Sequence, residues 1–175
     1  MADDELLVIR CQLGERAAFD ALVARWAAPV AAHARRVTQD GDAAAELTQD
    51  IWLRVFRGLG RLRDPQRFRS WLFGIAHRAF ADSLRRRYAA PPLAGEDADT
   101  LIDEMVPDHE NVDRIERGLA RLPPVEREIL TLFYLQELSI GEIAEALAIA
   151  QGTVKSRLHR ARKLLRDAFQ EGEER

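Results

Sequence analysis

The chain has 175 residues, 47% of them hydrophobic, with 26 basic and 29 acidic side chains and a net charge of −3. That length holds one domain or two small ones with a real core, and no apolar run of about 18 residues is present to cross a membrane. The single cysteine, Cys11, excludes an internal disulfide and fits a reducing cytoplasm. The acidic start from Met1 to Arg10 is not that of a secretion signal. His33, His77, His109 and His159 lack metal-ligand spacing, and there is no Gly-rich phosphate loop and no nucleophile beside a base. Neither a cofactor nor an enzymatic activity is expected.

Taken in order, the chain reads as helices. Leu6, Leu7, Ile9 and Leu13 predict a short first helix ending near Gly14. Glu15 to about Val37 is long and amphipathic, with Phe19, Leu22, Val23, Trp26 and Val30 at helical spacing. Pro29 inside that pattern predicts a kink or a break, and Asp40-Gly41-Asp42 predicts a turn. The third helix, Ala43 to about Leu59, puts Leu47, Ile51, Trp52, Val55 and Leu59 on one side. Glu46, Gln49, Asp50, Arg54 and Arg57 occupy the other, with Leu53 among them. An apolar side chain inside a polar face has the form of a partner-binding patch.

An arginine-rich loop follows, with Arg61, Arg63 and Arg67, and leads into a fourth helix. That helix carries Phe68, Trp71, His77, Arg78 and Phe80 and ends in Arg85-Arg86-Arg87. Arginines interleaved with aromatics are the composition that follows a single nucleic-acid strand and stacks its bases; most of Phe68, Trp71 and Phe80 read better as core residues, and only one or two of them need be exposed for that role. Residues 89–112 then change character, with three prolines and dense acidity, and predict a linker with no packed core.

The net charge hides this division. Residues 1–87 carry +4, residues 88–113 carry −8 and residues 114–175 carry +1. The linker carboxylates repel one another and favour an extended chain.

From Asp113 helical patterns resume. Ile115, Leu119 and Leu122 form one up to Pro123-Pro124, and Val125 to about Leu135 forms another. Ser139 and Glu142 form a capping box for a short helix to Leu147. Ala148-Ile149-Ala150 is a tight break, and a last helix begins near Gln151. Its stripe of Val154, Leu158, Ala161, Leu165 and Ala168 faces a core. Gln151, Thr153, Lys155, Ser156, Arg157, His159, Arg160 and Lys163 form the DNA-reading set, on a segment with no acidic residue up to Arg166. Two short helices about a tight turn, the second basic and small-residued at its start, form a helix-turn-helix that enters a major groove. The fold expected is all-α: two small helical domains, 1–88 and 113–175, joined by an acidic flexible linker, 89–112, with the helix-turn-helix in the second.

Ala45 to Phe56, Phe68 to Ala76 with Arg85-Arg86-Arg87, and Leu122 to Arg127 with Gly152-Thr153-Val154-Lys155-Ser156-Arg157-Leu158 resemble the extracytoplasmic-function sigma factors of bacterial RNA polymerase. The resemblance implies a transcription initiation factor. By it, Glu46, Gln49, Asp50, Leu53, Arg54 and Arg57 bind core RNA polymerase at the clamp of its largest subunit, and the second domain meets the flap region. Arg61, Arg63, Arg67, Phe68, Trp71, His77, Arg78 and Arg85 open and hold the −10 element of promoter DNA. The last helix reads the −35 element. His77-Arg78 stands where the family often has Arg-Asn. Members are commonly held by an anti-sigma protein, which the resemblance adds as a candidate partner; no membrane partner is implied. The alternative is a stand-alone helix-turn-helix regulator that binds duplex DNA as a dimer on a two-fold site.

Overall fold

The computed structural model describes residues 2–89 and 110–173, and every regular element among them is helical. The expected linker lies outside the described residues except at its two ends, which are helical: Ala89 closes the fourth helix and residues 110–112 open the fifth. No described helix is long and apolar enough to cross a membrane.

Helix α1 (Ala2–Gln12) begins with Asp3, Asp4 and Glu5, which suit the positive end of its dipole. It is tied down at both ends. Asp4 accepts from Arg25 at 2.8 Å and from the Trp26 indole at 3.2 Å. Gln12 donates to the Leu59 and Leu62 carbonyls at 3.1 and 2.8 Å.

Helix α2 (Arg16–Thr38) passes through Pro29 without a break. Proline withdraws one donor from the ladder, but Leu22, Val30, Ala34 and Val37 on either side of it are buried, and this packing carries the helix across. Gln39 ends it in the left-handed conformation. Asp40-Gly41-Asp42 is not a separate turn. Asp40 caps helix α3 (Gly41–Gly58) by accepting from the Ala43 amide at 2.7 Å, so the helix starts two residues early. Two short 3-10 turns, Leu59–Arg61 and Pro65–Arg67, lead into α4 (Phe68–Ala89).

The C-terminal half has α5 (Glu110–Ala120), α6 (Pro124–Leu130), a π-helical turn (Thr131–Leu135), α7 (Ile140–Leu147) and α8 (Gln151–Glu173). The helix expected from Val125 to Leu135 thus changes pitch after one and a half turns. The capping box of α7 is formed as expected, with Glu142 amide to Ser139 Oγ at 3.2 Å and Ser139 amide to Glu142 Oε2 at 2.8 Å. Ala148 takes a left-handed φ of 53°, which costs a non-glycine residue about 1–2 kcal/mol and turns the chain sharply into α8. That helix runs through the polar tail to Glu173.

The two halves are packed together: α4 lies along α7, and α2 meets α5 and α6. Gly74 sits inside α4, where glycine costs roughly 0.5–1 kcal/mol against alanine. A Cβ there would lie 3.1 Å from the Ala146 carbonyl oxygen, so the α4–α7 approach explains the residue. Polar contacts flank it. Arg36 pairs with Glu116 at 2.7 Å, His77 Nδ1 lies 3.0 Å from both Glu128 oxygens, and Arg69 donates to the Gln136 carbonyl. Arg127 of α6 donates to the Val37 carbonyl at 3.2 Å, at the end of α2.

His33 is fully buried, edge-on to Phe73 at 5.4 Å, and neither ring nitrogen has a hydrogen-bond partner among the described residues. Burial pulls its pKa from 6.5 to about 4, against a smaller opposing pull from Glu128. Protonation therefore favours the unfolded chain. The stability His33 allows is complete above pH 6.5 and is lost as pH falls from there toward 4. Urea unfolding at pH 7.5 and pH 5 should show the parent chain losing about 2 kcal/mol more than His33→Leu over that interval. Equal losses in both proteins would mean that His33 does not titrate in this way.

Candidate nucleic-acid interfaces

The surface of α8 follows from its register. Val154, Leu158 and Ala161 are buried against the other helices of the C-terminal half. Gln151, Lys155, Ser156, His159, Arg160 and Lys163 are exposed, while Thr153 and Arg157 are half-buried at the edge. Nothing stands over Gly152, so a partner's backbone can come close at the start of the helix. Two arginines on this helix are held by neighbours. Arg160 reaches the largely buried Glu126 at 3.2 Å. Arg162 donates to the Tyr134 hydroxyl at 2.8 Å and lies over the Phe133 and Tyr134 rings, 5.5 Å from each centroid. Both guanidinium groups have a partner within the chain before any ligand arrives.

A second basic surface lies at the start of α4. Arg61, Arg63, Arg67, Arg78 and Arg85 are exposed and Trp71 is half-buried. A cavity of about 250 Å³ opens among Arg63, Arg67, Ser70, Trp71 and Arg78. Gly58 makes room for Trp71, since a Cβ there would touch the indole at 3.0 Å. An indole edge among three guanidinium groups suits a base and its phosphates. One wall of the cavity comes from the other half of the chain, where Glu145 of α7 bonds Arg67 and Ser70, each at 3.1 Å.

Like Arg67, three further members of the expected −10 set already have partners within the chain. Phe68 is 1% exposed and packs edge-on to Trp26 at 6.0 Å, so it is a core residue and cannot stack a base. Its neighbours on the same face, Leu72 and Phe73, are buried with it. His77 faces Glu128, and Arg85 pairs with Asp82.

On α3 the apolar residue among polar ones is exposed as the wheel predicts. Leu53 is 47% exposed and Phe56, one turn on, is 67% exposed, its ring edge-on to Phe19 at 5.4 Å. Glu46, Gln49 and Arg57 surround them in solvent. Asp50 and Arg54 are less free. Arg54 bridges Asp50 at 2.9 Å and Asp82 of α4 at 2.8 Å, which raises its own pKa, chiefly through the Asp50 bond, and holds the Asp82 carboxyl below its usual range. Its first duty is to join α3 to α4.

Residues 22–89 match sigma-70 region 2, and residues 113–165 match sigma-70 region 4. The ECF RNA polymerase sigma factor SigM of Mycobacterium tuberculosis is 35% identical over 164 residues, which cover 94% of this chain and 83% of that protein. The chain belongs to the extracytoplasmic-function sigma factors. The RNA polymerase sigma-H factor of Pseudomonas aeruginosa is 30% identical to this sigma factor over 181 residues, or 95% of one chain and 94% of the other. The fold is also that of the sigma factor RpoE from Bartonella quintana, solved with the anti-sigma factor NepR. There the TM-score is 0.69 at 23% identity, over 87% of this chain and 96% of that one. As an alternative sigma factor, the protein directs transcription initiation.

Sequence reasoning missed several residues that shape these surfaces. Phe56 was readable, since it lies three positions from Leu53 and shares its edge of the helix. The clasp of Arg162 on the sigma factor's last helix by Phe133 and Tyr134 joins segments 28 residues apart and left no local signal. Glu145 reads as an ordinary solvated carboxylate until α7 is laid on α4.

The burial of Phe68 can be tested apart from any DNA. Phe68→Ala should cost about 3–5 kcal/mol of unfolding free energy in urea. A loss below about 1 kcal/mol would return Phe68 to the surface set of the sigma factor.

Proposed function

We propose that residues 1–88 form the domain that binds core RNA polymerase and opens the −10 element, and that residues 113–175 form the domain that reads the −35 element. The protein acts in the cytoplasm and catalyses nothing itself; the polymerase does the chemistry. The observation that carries the polymerase assignment is the exposed pair Leu53 and Phe56 on the polar edge of α3. Two large apolar side chains amid Glu46, Gln49 and Arg57 suit a hot spot ringed by charge. The clamp of the largest polymerase subunit is the proposed partner there, with the flap region for the second domain.

On the −10 side, Arg61, Arg63, Arg67 and Arg78 hold the phosphates of a single strand and Trp71 offers a face to a base. On the −35 side, Gln151, Thr153, Lys155, Ser156, Arg157, His159, Arg160 and Lys163 meet duplex DNA. An anti-sigma protein is proposed as the partner that keeps the factor from polymerase, of the kind named with the Bartonella quintana protein.

A pull-down with core polymerase tests the reading. Leu53→Asp should abolish capture of the full chain while its helical circular dichroism stays unchanged. Normal capture by a folded variant would contradict the α3 assignment. A folded chain that binds duplex DNA tightly as a dimer, without polymerase, would favour the stand-alone regulator.

The two DNA roles on α8 separate by specificity. Arg160→Ala should cost about 1–3 kcal/mol on the selected −35 sequence and relax preference at one base pair. Lys163→Ala should weaken selected and random duplexes alike and lower the salt slope by about one. Equal losses on both duplexes for both variants would contradict that division.

A further inference from the structure

We propose that Glu126 is a positioning residue for base readout: it holds Arg160 by its Nε, so that the terminal edge of the guanidinium meets a guanine instead of a phosphate. The inference rests on the −35 reading of α8 given above and deepens it.

The geometry of the pair comes first. Arg160 Nε lies 3.2 Å from Glu126 Oε1, and the two side chains have opposite surroundings, 71% exposed for Arg160 and 8% for Glu126. A buried carboxylate thus anchors the near side of a guanidinium group that stands mostly in solvent. Guanine offers two acceptors, O6 and N7, to a pair of parallel N–H groups. A guanidinium can present such a pair side-on, through Nε and one Nη, or end-on, through both Nη groups. With Nε engaged at Glu126, the end-on edge is the one left for a ligand.

The anchor is itself fixed. Glu126 lies in the first turn of α6, which packs along α8, and Arg127, Glu128 and Ile129 are buried beside it. Arg160 follows Ser156 by one turn, and helical side chains lean toward the N-terminus of their helix. Arg160 therefore covers the turn of Ser156, near the end of α8 that a major groove receives. Ser156 is small and turns its hydroxyl back to the Thr153 carbonyl at 3.0 Å. Among the described residues, Arg160 is also the one cation of the reading set with a carboxylate partner; Lys155, Arg157, His159 and Lys163 have none.

An arginine beside a duplex has two kinds of partner. Phosphates carry the charge but no sequence, and base edges carry the sequence. A side-on pair through Nε is one way a guanidinium grips a phosphate. Glu126 occupies that donor and sets the direction of the other two. Its burial also leaves the pair less screened by salt than an exposed one.

The test uses holoenzyme reconstituted with each variant. The selected −35 duplex competes against its single-base-pair substitutions and against a random duplex. Glu126→Met and Glu126→Gln both remove one charge at similar length, and only Gln keeps an oxygen acceptor for Nε. Glu126→Met should lower discrimination about three- to tenfold at one base pair, out of the roughly 5- to 150-fold that a bidentate contact supplies. That base pair should be the one Arg160→Ala relaxes, and Glu126→Ala should relax it too. Glu126→Gln should keep discrimination within about twofold of the parent, because the acceptor is retained. On the random duplex the three Glu126 variants should behave alike, since each removes the same charge. In an Arg160→Ala background, Glu126→Met should change discrimination no further.

Full discrimination in Glu126→Met and Glu126→Ala would overturn the inference. An equal loss in Glu126→Gln would also overturn it, since charge and not the held Nε would then be the cause. A loss that persists in the Arg160→Ala background would do the same. Arg160 separates the two levels. If Arg160→Ala relaxes a base pair and the Glu126 variants do not, the inference alone fails. If Arg160→Ala relaxes none, the assignment of Arg160 to a base fails and the inference falls with it.

Discussion

One guanidinium group holds the two halves of this sigma factor in register. Arg127 is largely buried and has no carboxylate partner among the described residues. It donates instead to the carbonyls of Leu119, Ala120 and Leu122, at 3.0, 3.2 and 2.7 Å, and to those of Val37 and Arg36, at 3.2 and 3.5 Å. These carbonyls lie at and just beyond the ends of α5 and α2, at the negative ends of two helix dipoles. Desolvation lowers its pKa, but the group stays charged at any pH the protein meets. Removing such a cation leaves buried acceptors without donors in both halves. With Arg127 seated, α6 is fixed against α2, and α7 follows onto α4.

The groove at the start of α4 proposed to hold a strand lies at the contact between the halves, where Arg67 meets Glu145 of α7. The buried apolar residues of the two halves form one continuous cluster, so the closed state rests on packing more than on its ion pairs. The patch on α3 proposed to bind polymerase stays open to solvent in this arrangement, with Leu53 and Phe56 exposed.

Local chemistry made much of this legible in the sequence. The capping box at Ser139 and Glu142, the break at Ala148 and the buried stripe of α8 are short-range patterns, and all are in place. Leu53 was found because a helical wheel needs only its own helix. The departures came from packing between distant segments. Pro29 does not break α2, because buried residues on both sides hold the helix together. Phe68 read as a base-stacking aromatic by its arginine neighbours, yet it faces Trp26, 42 positions earlier. Arg54 read as a free surface charge, but Asp82 arrives from another helix to take it. Glu145 carried no signal at all, since its meaning comes from a partner surface 75 residues away.

The separation of the two halves on polymerase is the claim that most needs measurement. Spin labels at positions 20 and 166, both exposed in the closed chain and introduced in a Cys11→Ser background, report it by double electron–electron resonance. The free protein should give a single narrow distance, and core polymerase should move it toward the ~70 Å that separates promoter elements about two helical turns apart. The same short distance in both states would contradict the opening on which promoter binding here depends.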